Sequence, residues 1–402
     1  MSKLSIKDLD LRDKRVLVRV DFNVPIEDGQ VADDTRLRAS LPTIRHILDA
    51  GGQPILMSHL GRPDGEVVPE LSLKPVAEAL QLLLGREVLL SPDCVGEATT
   101  SLVKRAPEGS VVLLENLRFH ADEEANAPGF ATQLSELGDV YVNDAFGSAH
   151  RAHASTEGIT HYFVDCATGL LMQKELEYLD TALADPGRPY VAIMGGAKIS
   201  GKIDVIENLF SKVDTLLIGG GMAFTFFKAM GLEIGKSLLE KDRVGVAAHL
   251  LKRAEAEGVD LILPTDTVVA AEMTEGVPAQ VVPRDQIPAD LEGFDIGIET
   301  RKRFSDVVLS AKTVVWNGPL GVCEIYSFSK GSRAVANALV TATERGATTI
   351  VGGGETAAAM ADFGVAKKLS HVSTGGGASL EFLEGQTLPG VAALPDREED
   401  AG

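Results

Sequence analysis

Lys198 and Lys202 follow an apolar run at residues 191–194 and the pair Gly195 and Gly196. Two ammonium groups beside glycines suit a polyphosphate. Glycine lets the backbone approach such a ligand, and a helix start adds free N–H groups and the positive end of a dipole. Ile203, Ile206 and Leu209 recur at helical spacing. The stretch therefore reads as strand, turn and helix, with both lysines on one helical face. Residues 196–202 fit the G-x-x-x-x-G-K part of a P-loop, but Ile203 stands where a hydroxyl would meet Mg2+. The plainer alternative is a glycine turn with two solvated lysines.

Other charged residues close the apolar runs of the first half. Asp21 and Asn23 follow residues 16–20, His59 and Arg62 follow 54–57, Arg118 follows 111–114, and Arg151 comes after 139–142. Arg36 opens the amphipathic stretch 35–50, whose stripe is Leu37, Leu41, Ile44 and Leu48. Four arginines and a histidine in one crevice suit a small, highly charged phosphate or carboxylate. Asp21 and Asn23 suit a hydroxyl. Taken singly, each arginine is as well explained by a surface ion pair; their repetition at strand ends is what argues for a site. His150 and His153 lack a cysteine or carboxylate at a matching spacing, so they make a poor zinc set.

The second half carries glycine clusters at 195–196, 219–221, 352–354 and 375–377, each after an apolar run and before a helical stretch. Such turns can expose N–H groups as an anion-binding nest. Glu355 begins a helix after three glycines, where a carboxylate suits a metal that also touches phosphates, or simply a favourable charge at a helix start. Glu324 leaves the strand at 313–316, a position suited to ribose hydroxyls. No G-x-G-x-x-G follows a strand, which disfavours a dinucleotide fold.

These groups need a scaffold that brings strand ends together. Strands alternating with helices imply parallel α/β sheets, whose carboxyl ends share one edge and bind ligands there. Asp185, Pro186 and Gly187 break the helical stretch 170–183 directly before the lysine strand, so the domain boundary is expected there. The 402 residues, 45% hydrophobic and 24% charged, are enough for large cores. A net charge of −20 argues against nucleic-acid or anionic-membrane partners. Three cysteines in no C-x-x-C pattern point to a reducing compartment, and no uncharged apolar run reaches the ~18 residues of a membrane span. A cytoplasmic location is expected.

The chain resembles the phosphoglycerate kinase family almost end to end. The resemblance rests on VDFNVP (20–25), SHLGRP (58–63), LLENLRFH (113–120), YVNDAFGSAHRAHAST (141–156), MGGAKIS (194–200), IGGGMAFTF (218–226), VWNGPLGV (315–322), VGGGET (351–356) and VSTGGGASLEFLEG (372–385). It implies an α/β fold of two lobes, each a doubly wound, Rossmann-like parallel sheet flanked by helices and joined by a hinge. Residues 1–184 would bind 3-phosphoglycerate, with a tail at 385–402 packing back, and residues 185–384 would bind nucleotide. By the same resemblance Asp21, Asn23, Arg36, His59, Leu60, Gly61, Arg62, Arg118 and Arg151 hold the acceptor. Lys202, Gly293, Asn317, Glu324, Gly353, Gly354, Glu355 and Thr356 hold ATP or ADP, with Mg2+ on Glu355. Arg36, Lys198, Gly375 and Gly376 stabilise the transferring phosphoryl group. Three positions depart from the family's usual pattern. Gly201 stands where Asp is frequent, Glu355 where Asp is common and Cys323 where Phe is frequent.

The implied reaction is reversible, Mg2+-dependent transfer between ATP and the carboxylate of 3-phosphoglycerate. That carboxylate is already ionised at about pH 7, so no general base is needed; positioning and charge neutralisation suffice. Hinge closure near residues 185–190 and 374–383 is expected, to exclude water, in a chain expected to act as a monomer. Residues 396–402 read as a frayed end. Two alternatives remain open on sequence alone. One is a two-lobed sugar-phosphate binding protein without catalysis; the other is a kinase for a different carboxylate or a sugar hydroxyl.

Overall fold

The structure, a computed structural model, describes residues 3–397. Two compact units emerge: Met1–Glu177 with Thr387–Gly402, and Tyr178–Gln386. The boundary falls inside the helix Leu170–Ala184.

The first unit is built on six parallel strands in the spatial order Val88–Leu90, Val111–Leu113, Gln53–Met57, Arg15–Arg19, Val140–Asn143 and Cys166–Thr168. Both faces are covered. Val16 and Val18 belong to one apolar cluster with Leu37, Ile44 and Ile47 of the helix Thr35–Asp49. Leu17, between them, belongs to the opposite cluster with Phe130 and Leu134 of the helix Pro128–Ser135. Alternation along a strand sends successive side chains to opposite faces, so a strand buried on both reads as one continuous apolar run. Each fully buried Val or Leu contributes about 1.5–3 kcal/mol. In the first helix Ile47 is buried and Leu48 only half so, a turn of the stripe by one position from the expected Leu48.

The second unit repeats the plan in the order Asp260–Ile262, Thr215–Ile218, Tyr190–Met194, Thr313–Asn317, Thr348–Gly352 and His371–Val372. Numbered within this sheet the order is 3-2-1-4-5-6, the doubly wound arrangement whose ligand crevice lies where the order reverses. That reversal falls between Tyr190–Met194 and Thr313–Asn317. An antiparallel sheet of Gln280–Pro283, Asp266–Ala270 and Glu292–Ile296 is added, with Val268, Ala270, Phe294 and Phe328 beneath it.

The chain end returns to the first unit. Gly390 N–H donates to the Ala149 carbonyl at 2.8 Å, and Lys3 pairs with Asp396 at 2.8 Å. The expected fraying therefore does not extend to Asp396 and Arg397, the latter 3.2 Å from Asp8. The remainder of that stretch lies outside the described residues.

Candidate functional site

In the first unit the strand register sets the site. Arg19 pairs with Met57 and with Asn143, so the turns after these three strands lie side by side. Arg36 Nη1 donates to Asp21 Oδ1 at 2.8 Å and to the Asn23 carbonyl at 3.2 Å. Asn23 Oδ1 accepts from Gly61 N–H at 2.9 Å, while Arg118 Nη1 donates to the Gly61 carbonyl at 2.8 Å. Glu124 lies 3.1 Å from Arg118 and 4.0 Å from Arg151. His59 and Leu60 are buried, and Leu60 N–H is held by Asn116 Oδ1 at 3.2 Å.

Beneath these groups is a buried charged network that the sequence reading passed over. Arg19, 1% exposed, ends an apolar strand. Its Nε donates to Ser155 Oγ at 2.8 Å, and Ser155 Oγ donates to Glu123 Oε1 at 2.5 Å. Its Nη2 lies 3.1 Å from His59 Nδ1. Burial, then the charges of Arg19, Arg118 and Arg36, hold His59 well below the usual histidine range. His153 is pushed down to about 4 by burial, then by the charges of Arg19, Arg118 and Arg151. Both rings are thus neutral at about pH 7. The available signal was an arginine inside a β-branched run, since a charge there must be paired when buried.

In the second unit Asn317 is in register with Met194 on one side and Gly352 on the other. The three following turns therefore meet at the reversal of strand order. Lys202 Nζ donates to Asn317 Oδ1. Burial lowers Lys202 to about 8, against a raising effect from Glu355. Gly318 N–H donates to the Thr356 hydroxyl at 2.8 Å. Asn317 Nδ2 is buried with no hydrogen-bond partner in the protein. A buried donor without an acceptor is costly, and a ligand oxygen beside Lys202 would satisfy it.

The glycines of these clusters divide into two kinds. Gly195 and Gly196 donate to the carbonyls of Asn317 and Pro319 at 2.9 and 2.7 Å, and Gly219 and Gly220 to those of Met194 and Leu320 at 2.9 and 3.2 Å. These four N–H groups are spent on neighbouring turns, so Gly195, Gly196, Gly219 and Gly220 serve close packing, which corrects the expectation that every glycine cluster exposes its N–H groups as an anion nest. A Cβ on Gly195 would lie 2.2 Å from the Pro319 carbonyl oxygen. Gly221, Gly353 and Gly376 each precede a helix, Met222–Ala229, Gly354–Asp362 and Gly377–Leu383, whose start has no side-chain cap. These helix starts leave donors for an anion.

Two further expectations are adjusted. The helix after the lysine strand is Ile203–Phe210, with Lys202 as its cap residue. Lys198 is exposed on the preceding loop, so the two lysines do not share a helical face. That loop is held by Glu240, which accepts from Ile199 and Ser200 N–H at 2.6 and 3.1 Å. Arg62 is exposed and makes no ion pair among the described residues. Gly293 packs against the Phe224 ring, which a Cβ would approach to 2.1 Å, and Glu324 is exposed. Neither bonds to the Lys202 group. Glu355, exposed in the first turn of its helix, offers the hard oxygen donor that Mg2+ prefers.

Two parallel α/β sheets, one edged with arginines and the other carrying Lys202 at its switch point and uncapped glycine-led helix starts after its outer strands, are the architecture of an α/β phosphotransferase. Residues 6–386 match the family model described as phosphoglycerate kinase. A phosphoglycerate kinase of Chloroherpeton thalassium is 55% identical over 98% of this chain and 99% of its own length. One of Moorella thermoacetica is 57% identical over 99% and 100%. The solved phosphoglycerate kinase of Coxiella burnetii superposes with a TM-score of 0.87 at 41% identity, covering 97% of this chain and 98% of its own. The chain belongs to the phosphoglycerate kinase family.

Proposed function

We propose that this chain transfers the γ-phosphoryl group of ATP reversibly to the carboxylate of 3-phosphoglycerate, giving ADP and 1,3-bisphosphoglycerate in glycolysis and gluconeogenesis. Asp21, Asn23, Arg36, His59, Leu60, Gly61, Arg62, Arg118 and Arg151 hold the acceptor. Lys202, Gly293, Asn317, Glu324, Gly353, Gly354, Glu355 and Thr356 hold the nucleotide. Arg36, Lys198, Gly375 and Gly376 neutralise the group in flight. The observation that carries this reading is Lys202 beside the unsatisfied amide of Asn317 at the switch point of the second sheet.

The chemistry asks for placement and positive charge rather than proton abstraction. Two carboxyls do sit near neutrality, Asp144 and Asp295, each pushed up to about 7 by burial. Asp144 is committed to Leu171 and Met172 N–H, and Asp295 to Arg301 and Gly331 N–H. Both are buried away from solvent, at 0% and 4% exposure. Mg2+, held by Glu355 with the phosphate oxygens, would supply charge neutralisation at the nucleotide. In-line transfer in the absence of water requires closure, and this reading places the hinge at residues 185–190 and 374–383. The domains in this reading are 1–184 with 385–402, and 185–384. A monomer in the cytoplasm completes it.

The test follows 31P resonances of ATP, 3-phosphoglycerate and Mg2+ with the chain. An acyl-phosphate signal appearing with ADP supports the reading. Binding of 3-phosphoglycerate without any acyl phosphate contradicts it in favour of a binding protein.

A further inference from the structure

Away from the arginine cluster, one group of metal-ligating side chains comes together in the first unit. Asp93 and Cys94 lie in the loop after the strand Val88–Leu90, and His120 follows the short turn Leu117–Phe119. One carboxylate oxygen, the thiol sulfur and one ring nitrogen lie within 4.8 Å of one another. His120 Nε2 is 2.6 Å from Asp93 Oδ1, and the Cys94 thiol donates to the Glu115 carbonyl at 2.9 Å. The His120 ring packs on Phe130, with centroids 5.0 Å apart. Asp93 and His120 retain 48% and 30% side-chain exposure, while Cys94 is fully buried. An ion arriving from solvent meets the carboxylate and imidazole first and finds the sulfur at the bottom.

We propose that Asp93, Cys94 and His120 form a site for a transition-metal dication of the Zn2+ class, with the fourth position left to water. The donor set selects the metal: sulfur and imidazole suit Zn2+ and Co2+, whereas Mg2+ takes oxygen ligands. The charged groups around Cys94 are Asp93, Glu115 and Glu123, all acidic, which favours a cation. Bonds of about 2.0–2.3 Å place tetrahedral ligands roughly 3.3–3.8 Å apart. The group therefore contracts by about an ångström at its widest, and the Asp93–His120 contact opens by a similar amount. On binding, the thiol proton leaves to solvent and the thiolate bonds the metal. The Glu115 carbonyl loses its S–H donor, and His120 gives up to solvent the Nε2 proton that bonded Asp93, takes one on Nδ1 as the other neutral tautomer, and donates the Nε2 lone pair to the metal. This is separate from the phosphoryl-transfer groups, so its test needs no turnover.

The experiment titrates Co2+ into the reduced, nucleotide-free full chain and reads thiolate-to-cobalt charge-transfer absorption in the near ultraviolet, with Zn2+ as competitor. One equivalent of Co2+ giving that band, displaced by Zn2+, is the expected result. Cys94→Ser abolishes the band. His120→Asn weakens metal affinity at least about tenfold. Cys166→Ser and Cys323→Ser leave both unchanged. His120 is partly exposed, so its variant keeps the test valid even where Cys94→Ser fails to fold. The proposal is overturned by absence of the band at stoichiometric Co2+, by a band that survives Cys94→Ser, or by unchanged affinity in His120→Asn.

Discussion

Arg19 Nη2 lies 3.1 Å from Nδ1 of His59, and this contact decides the form of the imidazole. A guanidinium only donates. Nδ1 must therefore accept, which leaves the proton on Nε2 and the ring neutral. His59 Nε2–H is then a neutral donor, at a position too buried and too close to Arg19, Arg118 and Arg36 to carry charge.

This relationship predicts the ring's titration. Nitrogen-15 spectra of the histidines will show His59 as the Nε2–H tautomer at about pH 7, without protonation between about pH 6 and 8. Arg19→Gln removes the positive charge that favours ionised, buried Glu123 and the guanidinium donor to Ser155 Oγ, and loss of a charged hydrogen-bonding group costs about 1.5–3 kcal/mol. Chemical denaturation of that variant checks the cost. An imidazolium signal from His59 at about pH 7 would contradict the assignment.

With Lys202 at the proposed nucleotide site, ADP binding should depend on pH. Its pKa of about 8 lies below the ordinary lysine value because burial disfavours the charged form. Only the protonated form attracts phosphate, so affinity holds below about pH 8 and falls above it. The ADP dissociation constant should rise by up to about tenfold between pH 7 and 9, since one unit is a tenfold change in population. Lys202→Arg, always charged, should flatten that profile. Calorimetry over this range decides, and an equally steep profile in Lys202→Arg would assign the dependence elsewhere.

Asp144 should make the first unit less stable as pH rises from about 4 to about 7. Its folded pKa of about 7 lies above the unfolded value of 3.8. The folded state binds more protons in that window, so stability is lost on deprotonation. Asp144→Asn keeps the Oδ1 acceptor used by Leu171 and Met172 N–H. It should remove this component of the slope in urea midpoints measured across the window. An unchanged slope would mean that other groups carry it.

The glycines of the second unit should differ sharply in tolerance. Gly195→Ala places a Cβ 2.2 Å from a backbone oxygen that cannot retreat, whereas Gly201→Ala meets nothing within 4 Å. The first should cost at least about 1–3 kcal/mol and the second within about 0.5 kcal/mol. Denaturation midpoints with equal losses would refute the packing role given to Gly195.

The parallel strands of the catalytic edge were legible because apolar runs ended on strong turn residues. The apolar run read at 191–194 before Gly195 and Gly196 is the strand Tyr190–Met194. The antiparallel addition was not anticipated, and its edge strand Gln280–Pro283 shows why: three of its four residues are exposed and carry no apolar alternation. The glycine clusters announced turns but not their use. Whether Gly196 N–H faces a ligand or the Pro319 carbonyl depends on a turn more than a hundred residues away in the chain. Arg19 was passed over because one charge within Val16 to Val20 looks like a break in the pattern, and only packing shows its partners Ser155 and His59.

The most direct test of the account is ATP- and Mg2+-dependent turnover of 3-phosphoglycerate, coupled through glyceraldehyde-phosphate dehydrogenase to NADH loss, in the unaltered chain and in Lys202→Ala. The account predicts turnover that falls by at least about a hundredfold in the variant, on the scale of losing one preorganised charge-stabilising group. Absence of turnover in the folded, unaltered chain would contradict the phosphotransferase assignment. Turnover untouched by the substitution would contradict the placement of the nucleotide phosphates at Lys202.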